Sequence, residues 1–118
     1  MNIPLYILAG LGIKKILDQT PMVDKTIRFN KNREFTILQL TDFHYGESEE
    51  KDSNNDEIHQ ILIDLVKPDM VTITGDAVSG FAWDGKEKDF YYKGWKRMTD
   101  VYTRNKVLYA YTLGNHDH

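Results

Sequence analysis

Apolar and polar positions begin to alternate at Lys25. Thr26-Ile27-Arg28-Phe29 changes character at each residue, Asn30-Lys31-Asn32-Arg33 is polar throughout, and Phe35 to Thr41 (FTILQLT) returns to β-branched and apolar residues. Two strands about an Asn-containing turn predict a hairpin. The second strand is nearly continuous in apolar character, which predicts a central position covered on both faces.

Asp42 to Asn55 reads as a charged, glycine-containing loop. Ser53 and Asp56 have capping-box spacing, so a helix is expected to start there. Ile58, Ile61, Leu62, Leu65 and Val66 follow at i, i+3, i+4, i+7 and i+8, the buried face of an amphipathic helix. On this reading His59, off that stripe, is solvated. Pro68 ends the helix, and Met70 to Thr74 (MVTIT) is a short buried strand stopping at Gly75. Strand, helix and strand make a βαβ unit with a right-handed crossover.

Ala77 to Lys88 is a loop carrying Phe81 and Trp83. Tyr91, Trp95, Met98 and Tyr102 then recur at helical spacing, with Gly94 weakening the pattern. Val107 to Leu113 (VLYAYTL) predicts a third parallel strand ending at Gly114. The fold class is α/β, an opening hairpin followed by a parallel βαβαβ core.

Ile3 to Ile13 is an apolar, uncharged run followed by Lys14 and Lys15. Residues 1–22 therefore form a short helix or arm, or a targeting segment. The run has secretory length, but no Lys or Arg precedes it and no small-x-small site ends it before the lysines. Those flanks favour a cytoplasmic chain, with a secretory route left open. No run reaches the ~18 apolar residues of a membrane span.

Composition narrows the chemistry. The 118 residues contain no cysteine, which excludes disulfides, thiolate metal sites and a thiol nucleophile. The net charge of −3 argues against nucleic acid as a partner, because that needs a basic face.

The three strands end alike. FTILQLT runs into Asp42-Phe43-His44, MVTIT into Gly75-Asp76, and VLYAYTL into Gly114-Asn115-His116-Asp117. C-terminal ends of parallel strands lie along one edge, where ligands bind. Each residue alone has an ordinary reading as a cap, turn or surface-loop side chain. Repetition at three strand ends points instead to a site. Carboxylate, imidazole and amide donors without thiolate suit Mn, Fe or Zn ions. Gly75 and Gly114 allow sharp turns and the close approach of a ligand. The acidic stretch Glu47 to Asp52 reads as a solvated loop, and Trp83, Trp95 and the tyrosines as packing.

Asp42-x-His44, Gly75-Asp76 and Gly114-Asn115-His116-Asp117 together resemble the calcineurin-like metallophosphoesterase superfamily. The segment PDMVTITGD, and Gly80 shortly after it, are similar to the branch grouped with purple acid phosphatases that keeps D-x-H. The resemblance spans about Lys25 to Asp117. It implies the N-terminal portion of a β-sandwich flanked by helices, with residues 25–118 as that half domain. It also implies two metal ions. Asp42 and His44 would ligate the first, Asp76 would bridge both, and Asn115 would ligate the second. His116 would contact the substrate phosphate and protonate the leaving group, and Asp117 would orient His116 through a ring N–H. The family draws further histidines from later Gly-His and Gly-His-x-His motifs, which this sequence does not contain.

Two function classes follow. One is a dinuclear metal-dependent phosphoester hydrolase acting on a phosphomonoester. The other is a catalytically silent or partner-binding chain lacking the later histidines. A DNA nuclease of the same superfamily is disfavoured by the acidic balance. Without a second sheet, the apolar strands are expected to favour self-association.

Overall fold

The structure, a computed structural model, describes residues 26–117. The elements are β1 (Ile37–Leu40), α1 (Glu49–Val66), β2 (Met70–Ile73), a 3-10 turn (Gly80–Ala82), α2 (Phe90–Arg104) and β3 (Leu108–Tyr111). The strands form one parallel sheet in the order β1-β2-β3. Ile37 pairs with Met70 and Met70 with Leu108, so the C-terminal ends of the three strands come level. The parallel α/β core expected from the sequence is present. Residues 1–22, expected as an arm or targeting segment, lie outside the described residues.

Side-chain alternation along the strands places the core. Val71, Ile73, Tyr109 and Tyr111 are buried on one sheet face, while Met70, Thr72, Leu108 and Ala110 on the other are half-buried. Helix α2 supplies Trp95, Met98, Val101 and Tyr102 to the buried side. The Trp95 ring meets Tyr111 edge to face, with centroids 3.7 Å apart. Gly94 costs the helix about 1 kcal/mol of propensity, but a Cβ there would lie 2.9 Å from Val78 Cγ2. The close approach of α2 to the loop after β2 needs this glycine.

Four expectations are corrected. Among the described residues the opening hairpin has its turn, but of its expected first strand only Thr26 is in a β-bridge. Asn30 Oδ1 accepts from the N–H groups of Asn32 and Glu34, and Asn30 N–H donates to the Glu34 carbonyl. Residues 27–30 are not strand, and Phe29 is exposed, so the alternation there has no face to bury. Second, β1 is an edge of the described sheet with Ile37 exposed, and β2 is central.

Third, α1 starts one turn before the expected cap. Ser48 is the N-cap, its Oγ accepting from Lys51 N–H at 3.2 Å, and Glu49, Glu50 and Asp52 fill the first turn. Acidic side chains there favour the positive helix end, so most of the supposed acidic loop is helix. Fourth, the face of α1 that points inward carries Asp52, His59 and Ile63, while Ile58, Ile61 and Leu65 are exposed. Polar contacts fix this rotation. Arg97 of α2 donates through Nε to Asp56 and through Nη1 and Nη2 to both oxygens of Glu49. Gln60 and Asn105 exchange amide hydrogen bonds at 3.0 and 2.9 Å near the other end.

Candidate metal centre

The parallel pairing of β1 and β2 continues past the strand ends. Asp42 N–H donates to the Gly75 carbonyl, His44 N–H to Asp76, and Tyr45 N–H to Ala77; Ser79 N–H returns to Tyr45. Tyr45 and Val78, both fully buried, form an isolated parallel bridge. The D-x-H loop and the G-D loop are therefore one backbone unit resting on the core.

That unit gathers three of the expected residues. Donor atoms of Asp42, His44 and Asp76 lie within 4.8 Å of one another. His44 Nε2 is 3.7 Å from Asp42 Oδ1, and Asp42 Oδ2 accepts from Thr41 Oγ1 at 2.6 Å. All three residues have left-handed backbone, with φ of 60°, 54° and 52°. Left-handed backbone away from glycine is costly and clusters at functional sites. Here the inter-loop hydrogen bonds hold it.

The loop after β3 closes the site. His116 N–H donates to Asp76 Oδ1 at 2.9 Å, and the His116 ring stands edge-on to His44 at 5.0 Å. Asn115 is exposed in the turn beside it. Asp117 is buried and acts on backbone. Its Oδ2 accepts from Asp76 N–H at 2.7 Å and Gly114 N–H at 2.8 Å, and its Oδ1 from Val78 N–H at 3.0 Å. Among the described residues its hydrogen bonds run to the loops that carry Asp76 and Gly114. The glycines serve the same closure. A Cβ on Gly114 would lie 2.1 Å from Asp76 Oδ1, and one on Gly75 2.8 Å from Gly114 Cα. Their close approach is to each other's loop.

Oxygen, nitrogen and oxygen donors on strained, pre-positioned backbone, with Asp42 open to solvent, fit a first-row divalent ion. The calcineurin-like phosphoesterase family model matches residues 35–118. The chain belongs to the calcineurin-like phosphoesterase family. Its sheet and two helices correspond to the N-terminal part of a metallophosphoesterase fold, and its D-x-H group is one able to hold the divalent metal that the family uses. No curated protein matches the chain. Among the described residues, no helix is long and apolar enough to cross a membrane.

Several residues that support the phosphoesterase site were not legible as such. Glu47, read as loop, lies 3.9 Å from His44 Nδ1 and accepts from Ser79 Oγ at 3.1 Å. Its hydrogen bond from Lys51, then that from Ser79, lower its carboxyl below the ordinary range. Asp52 accepts Gly46 N–H with both oxygens, while burial pushes its carboxyl up.

His59, read as solvated, is fully buried with its ring 3.9 Å from that of Phe43, the residue between Asp42 and His44 in the sequence. Its Nδ1 lies 2.7 Å from the Asn55 carbonyl and therefore carries the proton. Asn55 Nδ2 donates to the Phe43 carbonyl at 2.7 Å. Tyr45 Oη donates to Asp56 at 3.0 Å, and burial followed by that carboxylate keeps the phenol protonated well above its usual range. The sequence signal was the i, i+4 pair Asn55 and His59, a polar couple on the helix face that also carries Asp52 and Ile63.

Proposed function

We propose that this phosphoesterase domain hydrolyses phosphomonoesters at a dinuclear metal centre. The observation that carries the reading is the convergence of Asp42, His44 and Asp76 on one point at the strand ends. In this reading Asp42 and His44 hold the first ion through carboxylate oxygen and Nε2, with Glu47 beside Nδ1. Asp76, together with Asn115, would also hold a second ion. When bound, the ions supply charge stabilisation at the phosphoryl oxygens and make the attacking water more acidic. Their identity among Fe, Mn and Zn is left open by the donor set.

His116 binds the phosphate and donates a proton to the leaving oxygen. Water's oxygen bonds to phosphorus, the bond to the leaving oxygen breaks, and the proton lost by water restores the imidazole. Asp117 holds the backbone that carries Asp76 and His116. Asp76 and Asn115 give the second ion two protein donors, fewer than the ~three of a catalytic ion. The proposal therefore includes further ligands from residues outside these 118.

The test sets the 118-residue chain beside the same chain extended through its downstream coding sequence. Metal-dependent phosphate release is expected from the extended chain, abolished by Asp76→Asn, with none from the 118 residues alone. Release that needs no metal, or that survives Asp76→Asn, contradicts the reading.

A further inference from the structure

Phe81 is 85% exposed, yet its backbone is held on both sides. Before it, Ser79 is buried, and Gly80 N–H donates to the His116 carbonyl at 2.9 Å. A Cβ at Gly80 would fall 2.6 Å from that oxygen, so position 80 is pressed against the loop after β3. After it, Ala82 N–H returns to Ser79 and Trp83 N–H to Gly80, closing the 3-10 turn. The turn is thus welded to the loop bearing His116 and sets the Phe81 ring against the imidazole, with centroids 4.3 Å apart at 68°. The His116 ring also meets His44 edge to face, with centroids 5.0 Å apart. Among the described residues, His116 is the one aromatic ring that Phe81 touches.

A lone exposed apolar side chain is ordinary. This one is not placed by packing. It is placed by the hydrogen bond from Gly80 to the backbone of His116, the residue that would touch phosphate. A flat apolar face one ring-width from the phosphate is where the leaving group begins.

We propose that Phe81 is a specificity-determining residue that stacks on an aromatic leaving group bonded directly to the phosphoryl oxygen, so that the substrate class is aryl phosphates, phosphotyrosine-like esters among them. The inference rests on the phosphoesterase reading of the site. Offset or edge-to-face ring pairs span roughly 4.5–7 Å between centroids, so a ring one oxygen from phosphorus is within reach. A nucleobase held off by a ribose extends past this ring. Alkyl esters offer no π face and gain less from Phe81.

The test is binding, which needs no turnover. Phenylphosphonate and methylphosphonate are titrated by calorimetry into the chain extended through its downstream coding sequence, with saturating Mn²⁺, for wild type, Phe81→Ala, Phe81→Leu and Phe81→Tyr. Wild type is expected to prefer phenylphosphonate by roughly three- to tenfold. Phe81→Ala and Phe81→Leu lose that preference while methylphosphonate binding stays unchanged, and Phe81→Tyr retains it. Equal affinity of wild type for the two probes, or a preference that survives Phe81→Ala, overturns this inference and leaves the metal site standing. Failure of both probes to bind in a Mn²⁺-dependent way overturns the metal-site reading along with it.

Discussion

His116 donates its backbone N–H to Asp76 Oδ1 at 2.9 Å across a sequence separation of 40. That bond ties the loop after β3 to the carboxylate that the loop after β2 presents. It sets the orientation of the one side chain expected to touch both ions.

Gly114 protects this arrangement. A methyl group there would meet Asp76 Oδ1 at 2.1 Å and Asp76 N at 2.5 Å. Gly114→Ala is expected to swing the Asp76 carboxylate aside and weaken Mn²⁺ binding by roughly 10–100-fold. Calorimetric titration measures the loss, and circular dichroism checks that the sheet and helices persist.

Asp117 carries stability for the same loops. Its carboxylate accepts three backbone N–H groups from Asp76, Val78 and Gly114. Asp117→Asn replaces an acceptor with a donor facing an N–H, and is expected to cost about 2–3 kcal/mol. Urea unfolding at pH 7 gives the difference. A change within about 0.5 kcal/mol would show that solvent satisfies these groups equally well.

The strand-end site could be read from the sequence because strand and turn chemistry are local. Buried β-branched runs stop at glycine or aspartate, and parallel strands bring those stops together. Helix α2 was legible for a similar reason: Trp95, Met98 and Tyr102 are large, and they dominate one face. The orientation of α1 was not. Ile58, Ile61 and Leu65 outweigh His59 on any hydrophobic scale, yet His59 is inside. The contacts that turn the helix are long-range and polar, running from Asn55 to Phe43 and from Arg97 to Asp56 and Glu49. No periodicity carries them. Ser53 has an acidic residue three positions on, the capping-box pattern, whereas the real cap Ser48 has no such reciprocal partner. The backbone contacts of Asp117 were not legible because the three N–H groups it accepts from belong to two separate loops.

His59 makes stability depend on pH. Its Nδ1–H donates to Asn55, and its Nε2 is buried with no partner. Burial lowers its pKa below the ordinary value of about 6.5. The unfolded chain therefore takes up a proton that the folded chain refuses. Stability is full above pH 6.5 and falls as pH drops from there toward the lower folded value. Urea midpoints at pH 7 and pH 5.5 are expected to differ more for wild type than for His59→Phe. Identical differences would show that His59 is accessible to protons in the fold.

Metal content separates ligand from substrate contact most directly. Equilibrium dialysis of the 118-residue chain against Mn²⁺, with elemental analysis, is compared for wild type, Asp76→Asn, Asp42→Asn and His116→Asn. The account predicts that wild type and His116→Asn retain the same Mn²⁺, whereas Asp76→Asn and Asp42→Asn weaken binding by more than roughly tenfold with their circular dichroism unchanged. Mn²⁺ retention by Asp76→Asn equal to wild type, or none by wild type, would contradict a metal centre built on Asp42, His44 and Asp76.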